Sequence, residues 1–268
     1  MSTIGITDRE FSRFQRFIYT KAGITLPDAK KALVSGRLAK RLQQYGFGSY
    51  SEYFQLLMSG KAAQETQMAV DLLTTNETSF FREPKHFDLL REVAITARNP
   101  TQPLRVWCAA SSTGEEAYSI AMVLADCLEG GSWEVVSSDV SQRVLAHARA
   151  GHYTAARARN VPRSYLHRFC LKGVGAQDGT VLIDRALRAR VRFIQINLNE
   201  PLPQLGTFDV IFLRNVMIYF NNDTKREVVA RALALLRTGG YLLIGHSEAL
   251  GDLTAAVKLV APSIYRKS

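Results

Sequence analysis

A chain of 268 residues is long enough to bury an α/β core and to carry a second, smaller domain. Its 47% hydrophobic and 9% aromatic residues exclude a disordered chain, and no apolar run approaches the roughly 20 residues that span a bilayer. The formal net charge of +10 favours an anionic partner such as nucleic acid, anionic lipid or an acidic protein, without selecting among them.

The N-terminus and the cysteines constrain the cellular setting. The first residues, MSTIGITDREFSRF, are polar and charged rather than signal-like, so we expect a cytoplasmic protein with no direct membrane insertion. Cys108, Cys127 and Cys170 form no CxxC pair, and the five histidines show no HExxH or other metal-binding spacing. We therefore expect neither a disulfide framework nor a metal site.

Residues 1–75 show helical patterning. Apolar residues at helical spacing predict four helices, the first of them capped by Asp8. The later three begin near Pro27, Tyr50 and Gln64. A small all-α N-terminal domain is therefore predicted.

The second of these helices carries a basic stripe on one side. Its members are Lys30, Arg37, Lys40 and Arg41. Such a stripe is either an ordinary solvated face or a docking surface for an acidic helix or bundle, and the pattern alone leaves both interpretations open.

From about residue 100 strands alternate with helices, which predicts a parallel sheet flanked by helices in a doubly wound α/β domain over 100–268. Residues 76–99 are interpreted as a linker that also begins the ligand site. A helix is predicted over Lys225–Leu236, ended by Gly239-Gly240, and a short C-terminal hairpin turns at Pro262-Ser263. The five predicted strands are Leu104–Cys108, Trp133–Ser138, Val191–Ile196, Phe208–Leu213 and Tyr241–Gly245.

One segment interrupts the alternation. Residues 155–190 contain Gly173, Gly175 and Gly179, followed by a period-two run over 180–184. Glycines at this density beside alternating residues are typical of tight turns between short antiparallel strands. A small antiparallel β insertion is predicted.

In open α/β sheets, ligands bind outside the carboxyl ends of the strands. The loop after the first strand is built from small residues and ends in Gly114-Glu115-Glu116. It has neither the lysine of a P-loop nor a GxGxxG fingerprint, and two carboxylates would repel a triphosphate. Acids also suit the first turn of a helix, so for Glu115 and Glu116 a structural role stays open.

Asp139 follows the second strand, where an acid can accept both hydroxyls of a ribose, although it could instead cap the next helix. A nucleoside that is positively charged and free of phosphate fits these residues, and S-adenosylmethionine is such a molecule. Asn197 follows the third strand and Asn215 the fourth, and each amide can donate to and accept from an adenine edge or an amino-acid head group. The Asp/Asn-Pro-Pro-Tyr motif common in amino-methylating enzymes is absent after the fourth strand, which counts against N-methylation of a nucleic-acid base.

Several blocks, in this order, make the chain resemble the CheR family of chemotaxis receptor glutamate O-methyltransferases. The Phe-Phe-Arg and Arg-Asn-Val-Met-Ile-Tyr-Phe blocks are the most specific. The blocks are Thr75–Arg82, Ser112–Glu116, Ser138-Asp139, Arg214–Phe220 and Gly245–Glu248.

The resemblance implies a Rossmann-like, S-adenosylmethionine-dependent methyltransferase domain behind the helical one. It implies methyl transfer to glutamates on the cytoplasmic helical domain of chemotaxis receptors, with S-adenosylhomocysteine as product, for sensory adaptation in membrane-bound receptor arrays. The cofactor residues that it implies are Asn76, Thr78, Arg82, Glu116, Asp139, Asn197, Leu198, Arg214 and Asn215.

The same resemblance bears on partners. In some family members the antiparallel insertion binds a tethering peptide at the receptor C-terminus. Gly173 and Gly175 match the turn of that type, and Ala176 stands where proline is frequent. Tether binding is therefore left open. A monomer is expected.

For catalysis we expect Arg82 to orient a carboxylate of the cofactor or substrate and Tyr219 to hold the incoming glutamate. A glutamate with a pKa near 4.3 is ionised at neutral pH, so no general base is needed. The alternative is that Arg82 is an exposed arginine with no catalytic role and that Tyr219 is an aromatic core residue.

Two alternative functions stay open for the protein as a whole: a nucleic-acid methyltransferase and a non-catalytic module that senses the cofactor. We nevertheless expect no nucleic-acid partner.

Overall fold

The structure, a computed structural model, describes residues 4–96 and 102–268. Its helices are α1 Asp8–Ala22, α2 Lys31–Tyr45, α3 Tyr50–Met58, α4 Ala63–Leu73, α5 Pro84–Thr96, α6 Glu115–Cys127, α7 Gln142–Ala150, α8 Arg163–Phe169, α9 Arg185–Arg188 and α10 Asn222–Leu235. Its strands are β1 Leu104–Cys108, β2 Trp133–Asp139, β3 His152–Thr154, β4 Cys170–Lys172, β5 Thr180–Ile183, β6 Val191–Gln195, β7 Phe208–Leu213, β8 Leu236–Ile244, β9 Val257–Ala261 and β10 Ile264–Lys267.

Helices α1–α4 form the predicted all-α domain, but the residue that caps α1 is Thr7 and not Asp8. Thr7 accepts from the backbone N–H of Glu10 at 3.3 Å, and the Glu10 carboxylate accepts from Thr7 N at 2.9 Å, which is a capping box. Asp8 is already the first helical residue, and its carboxylate pairs with Lys31 at 2.6 Å. The prediction placed the cap one residue too late.

The main sheet has seven strands in the order β6-β2-β1-β7-β8-β10-β9. The first five are parallel, and β10 and β9 close the edge as an antiparallel hairpin. All five predicted parallel strands exist, because strands that are buried on both faces are continuous apolar runs in sequence. The predicted doubly wound α/β class is confirmed.

Alternate residues of each strand serve two separate cores. Trp107 and Ile211 point to a core that also contains side chains of α10 and of the N-terminal helices, including Phe14 and Leu38. Neighbouring residues such as Val106 point to the opposite face, which is covered by α5, α6 and the insertion. The all-α domain and one face of the sheet therefore share a single core, here named the shared core.

The segment 76–99 is not simply a linker. Residues 84–96 form helix α5, which packs on α6 and buries Phe87 and Leu90. A proline at the first helical position is a helix-start signal that the sequence interpretation passed over. Residues 97–99 of that segment, and the first two residues of the predicted domain at 100, lie outside the described residues.

Two further boundaries differ from prediction. The antiparallel sheet, in the order β3-β5-β4, begins at His152 and so starts before the predicted 155–190 segment. The pair Gly239-Gly240 does not end a helix but lies inside β8, where the register with β7 shifts. A Cβ on Gly240 would lie 2.8 Å from the carbonyl oxygen of Asp209, so the glycine permits the close approach of the two strands. Within the described ranges no helix is both long and apolar enough to cross a bilayer.

Candidate functional site

A cavity of about 810 Å³, its open mouth included, lies at the carboxyl ends of β1, β2, β6 and β7, where the strand-end rule predicts a ligand. All nine predicted cofactor residues line it, although they come from five separate stretches of chain: Asn76, Thr78, Arg82, Glu116, Asp139, Asn197, Leu198, Arg214 and Asn215. Tyr219 lines it too. Its lining combines apolar side chains with a few charged and amide groups, which is typical of a small-molecule site.

Asp139 ends β2 with its carboxylate on the cavity wall. Its Oδ1 accepts from Ser141 N and its Oδ2 from Ser112 N, both at 2.9 Å. Burial raises the pKa of Asp139 to about 6, although the hydrogen bonds from these two N–H groups lower it. Ser141 and not Asp139 caps α7, so the alternative structural role weighed for Asp139 is filled by its neighbour.

Arg214 forms the buried centre of the site. It is 4% exposed and donates to Glu116 at 2.7 Å, to Glu83 from Nε at 3.3 Å and to the carbonyl of Arg82 at 2.6 Å. Its Nη2 also lies 2.9 Å from the Glu83 carboxylate, as an ion pair. Burial raises the pKa of Glu116 although Arg214 lowers it. The pKa of Glu83 ends below its usual value, because Arg214 and the N–H of His246 outweigh burial. Glu83, which the sequence analysis did not single out, thus anchors the arginine.

The two adjacent glutamates have different surroundings. Glu116 lines the cavity and accepts from the thiol of Cys108 at 3.2 Å. Glu115 is fully buried, accepts from Thr113 Oγ1 at 2.7 Å and forms an ion pair with Arg157 of the insertion. The cavity therefore receives the glutamate that the family resemblance selects.

Asn197 lines the cavity, yet its amide is engaged elsewhere. Its Nδ2 donates to the carbonyl of Lys21 at 2.7 Å and to Glu200 at 3.0 Å, and its Oδ1 accepts from Asn199 N at 3.0 Å. A ligand would meet its backbone or the remaining lone pair of Oδ1. We predicted that this side-chain amide both donates to and accepts from an adenine edge. That prediction does not fit these contacts, because Nδ2 and Oδ1 already have protein partners.

Asn215 adopts a left-handed backbone conformation, with φ of 56°, and Glu248 stabilises it. The Glu248 carboxylate accepts from Asn215 N at 2.8 Å, Ile218 N at 3.2 Å and Gly245 N at 2.7 Å. A Cβ on Gly245 would lie 2.3 Å from the Asn215 amide nitrogen, so a larger residue here would displace the Asn215 side chain. In the sequence, the one indication of a role for Glu248 is its place in the Gly245–Glu248 block.

Tyr219 and Arg82 both line the cavity, as does the exposed Glu77. Burial raises the pKa of Tyr219, as does the charge of Glu77, while a hydrogen bond with Thr75 and the charge of Arg82 lower it. The phenol is therefore protonated at neutral pH and offers a hydrogen-bond donor. A positive charge and a hydroxyl donor at one mouth suit an anionic group.

The basic stripe of α2 is only partly free. Arg37 donates to the carbonyls of Leu73 at 3.2 Å and Thr74 at 2.9 Å, and Arg41 pairs with the buried carboxylate of Glu65. Lys40 is exposed. Docking through Arg37, Lys40 and Arg41 stays a prediction, and two of its three side chains already hold the domain together.

The glycines of the insertion have a local structural reason. A Cβ on Gly173 would lie 1.9 Å from the carbonyl oxygen of Gln177, and Gly175 has a φ of 58°. The turn exposes Val174 at 77% and leaves Leu171 of β4 exposed. The part of Gly173 and Gly175 in tether binding stays a prediction.

One group of potential metal ligands occurs among the described residues. Glu83, His86 and His246 bring ligand atoms within 4.8 Å of one another. The Glu83 carboxylate is already paired with Arg214, whose charge opposes a second cation. Burial, together with that charge, lowers the pKa of His86 to about 4. We assign this group to the support of Arg214.

The chemistry of the cavity wall fits a cationic nucleoside. Carboxylates line one side at Glu116 and Asp139, and apolar side chains of Val140, Ile196 and Leu198 can flank a base. Carboxylates beside a phosphate would repel it, whereas a sulfonium or an ammonium is favoured there. The predicted S-adenosylmethionine therefore fits the residues present.

Comparisons with known proteins agree with this chemistry. The family model described as CheR methyltransferase, SAM binding domain, matches residues 76–265, and the model described as CheR methyltransferase, all-alpha domain, matches residues 9–74. Together they cover nearly the whole chain.

Curated relatives give the same result. The chemotaxis protein methyltransferase of Escherichia coli K12 is 40% identical over 268 residues, which cover 99% of this chain and 93% of that protein. Chemotaxis protein methyltransferase 2 of Pseudomonas aeruginosa PAO1 is 40% identical over 264 residues, covering 97% and 93%. The solved structure of TrmN from Thermus thermophilus has a TM-score of 0.44 at 17% identity, over 69% of this chain and 49% of that one, too distant to add to the assignment. The chain belongs to the CheR methyltransferase family and uses S-adenosylmethionine as its methyl donor.

Proposed function

We propose that this methyltransferase esterifies glutamate side chains on the cytoplasmic helical domain of chemotaxis receptors, for sensory adaptation. The observation that carries the proposal is the placement of Arg82 and Tyr219 on the wall of the same cavity as the eight other predicted cofactor residues. A cation and a phenol donor are suited to an acceptor that arrives as an anion. The names of the relatives, which are chemotaxis protein methyltransferases, support the setting.

S-adenosylmethionine, when bound, supplies a methyl group on a sulfonium that is already an activated leaving group. In the proposed transfer, one oxygen of the acceptor carboxylate forms the new bond to the methyl carbon and the bond from carbon to sulfur breaks. The products are a glutamate methyl ester and S-adenosylhomocysteine. No proton has to move, because the acceptor carboxylate is ionised at neutral pH.

The residues of the chain then act by binding and alignment. Asp139 accepts from the ribose hydroxyls, and Glu116 faces the positive charge of the amino-acid part. Arg82 and Tyr219 hold the acceptor carboxylate in line with the methyl group. Misplacement of about 1 Å can cost on the order of a hundredfold in rate, so this alignment is the main contribution to catalysis.

The proposal is tested with labelled cofactor and a purified cytoplasmic receptor fragment. We expect label in the fragment, released as methanol at alkaline pH, since esters are base-labile. A fragment with its methylatable glutamates changed to aspartate is the matched control and should stay unlabelled. Label that resists alkali, or that appears in total RNA offered in the same assay, would favour another acceptor, and absence of any product would favour the cofactor-sensing module.

The raised pKa of Asp139 predicts how pH affects cofactor affinity. The carboxylate must be ionised to accept two ribose hydroxyls, and in the free protein its pKa is about 6. We expect the Kd for S-adenosylhomocysteine to be constant above pH 7 and to rise below pH 6, approaching about tenfold per pH unit for one linked proton. Calorimetry at several pH values measures this. In Asp139→Asn the pH dependence of Kd should disappear. An equally steep rise of Kd at low pH in that variant would show that another group is responsible for it.

We further propose a cytoplasmic location with recruitment to receptor arrays, through acidic receptor helices or a C-terminal tether. The exposed Lys40 of α2 and the exposed Val174 of the insertion are the side chains that support two such contacts. A monomer is sufficient for the site, since all residues named in the proposed mechanism come from one chain.

A further inference from the structure

Helix α7 is capped by a carboxylate from the other domain. The first N–H groups of a helix have no acceptor within the helix itself. One of them is satisfied by Ser141, whose Oγ accepts from Val144 N at 3.4 Å. The first two instead donate to Asp71 of α4, from Gln142 N to Oδ1 at 3.1 Å and from Arg143 N to Oδ2 at 3.2 Å.

Asp71 is a fixed and buried part of the interface between the domains. It is 3% exposed, and its Oδ1 also accepts from Gln67 Nε2 at 2.8 Å. Its backbone carbonyl accepts from the Arg143 guanidinium at 3.3 Å. A buried carboxylate is costly unless donors surround it, and here three donors hold the Asp71 carboxylate in one position.

The capped end of α7 is continuous with the cofactor cavity. Ser141 N donates to Asp139 Oδ1 at 2.9 Å. Between these two residues, the carbonyl of Val140 accepts from Gln67 Nε2 at 3.0 Å and from Gln195 Nε2 at 3.1 Å. Asp139 and Val140 both line the cavity. A displacement of the first turn of α7 would therefore displace both residues.

We propose that Asp71 is a positioning residue for the methyl donor. From the all-α domain it holds the first turn of α7, and through that turn it sets the positions of the Asp139 carboxylate and Val140 that receive the nucleoside. Asp71 is not among the residues that line the cavity, so it acts through α7 and not by touching the ligand. The all-α domain is then a component of the cofactor site as well as a surface for partners.

The central variant is Asp71→Ala, measured by calorimetry with S-adenosylhomocysteine. We expect Kd to rise about tenfold, a factor that corresponds to about 1.4 kcal/mol and lies within the range for loss of a helix cap. The KM for S-adenosylmethionine should rise by a similar factor while kcat at saturating cofactor changes little, because Arg82 and Tyr219 do not depend on α7. Asp71→Asn keeps one acceptor oxygen and should recover part of the affinity.

Glu10→Gln is the matched control. Glu10 is also a buried acid of the all-α domain, at 7% exposed, and accepts from Thr7 N at 2.9 Å and Ser51 N at 2.8 Å. Its hydrogen-bond partners are Thr7 and Ser51, neither of them in α7, so this change should lower the melting temperature and leave Kd unaltered. If Glu10→Gln weakens cofactor binding as much as Asp71→Ala does, the rise in Kd is explained by a general loss of stability, and the proposal is overturned.

Gln67→Ala keeps the inference testable if Asp71→Ala does not fold. It removes one donor each from Asp71 and Val140 and leaves both residues in place, so a rise in Kd of about threefold is expected, in line with the loss of modest hydrogen bonds. An unchanged Kd in Gln67→Ala, or in a folded Asp71→Ala, would refute the proposal. Since Kd is measured without any methyl acceptor, failure of the receptor assay is distinguishable from failure here.

Discussion

Replacing Arg214 with methionine is expected to lower the free energy of unfolding by about 3–5 kcal/mol, the range for removing one partner of a buried ion pair. The side chain lies between Glu83 and Glu116, and methionine would fill part of the space but leave two carboxylates without their cation. The loss should be smaller at pH 5 than at pH 8, because uncompensated buried carboxylates have raised pKa values and take up protons as the pH falls. Urea unfolding at both pH values measures it.

The matched control is Arg226→Met. Arg226 also pairs with an acid, Asp223, at 3.0 Å, but both side chains are exposed, and such pairs contribute about 1 kcal/mol or less. If Arg214→Met costs no more than this control, with an unchanged m-value, the buried pairs do not stabilise the fold. Equal losses at pH 5 and pH 8 would contradict the explanation by unpaired carboxylates.

Arg82→Ala is expected to lower kcat for methyl transfer by about a hundredfold, the scale of an acceptor misplaced by 1 Å. Tyr219→Phe, which removes one hydroxyl donor, should lower it about tenfold, since one hydrogen bond to a charged group contributes about 1.5–3 kcal/mol. Cofactor affinity should change far less, because Asp139 and Glu116 are untouched. Single-turnover methylation beside calorimetric titration separates the two quantities.

Two variants outside the cavity serve as controls. Tyr241→Phe removes a phenol oxygen from a half-buried tyrosine of β8, and Arg192→Ala removes an exposed arginine whose nearest carboxylate is 3.6 Å away. Both should methylate at close to the wild-type rate. If Arg82→Ala and Tyr219→Phe methylate as fast as these two controls, Arg82 and Tyr219 have no part in methyl transfer. If cofactor binding falls as steeply as turnover, their part is to hold the cofactor.

The strands could be predicted because buried parallel strands appear as unbroken apolar runs, and Leu104–Cys108 and Phe208–Leu213 match their predicted ends. Helix ends were predicted less well. Thr7 and Asp8 are both good capping residues, and only the backbone geometry distinguishes them. No helix is predicted over 84–96, although Pro84 stands at the first helical position, where proline is a start signal.

For the site, the strand-end rule predicts Asp139 and the Glu115-Glu116 pair because parallel strands finish at one edge, and the family resemblance selects Glu116 from that pair. It could not find Glu83, Glu248 or Asp71. These acids never face the ligand directly. Each acts on residues 30 or more positions away in sequence, so its role depends on tertiary packing that no local pattern encodes.

The shared core has a consequence for the protein as a whole. Phe14 and Leu38 of the helical region are buried in the same apolar cluster as Trp107 and Ile211 of the sheet, so one face of the sheet is covered only when the helical region packs on it. Heating should accordingly produce one calorimetric transition with equal calorimetric and van't Hoff enthalpies. If the chain were cut near residue 75, the catalytic domain would expose the apolar face of its sheet to water and would aggregate. The two domains therefore form a single folding unit.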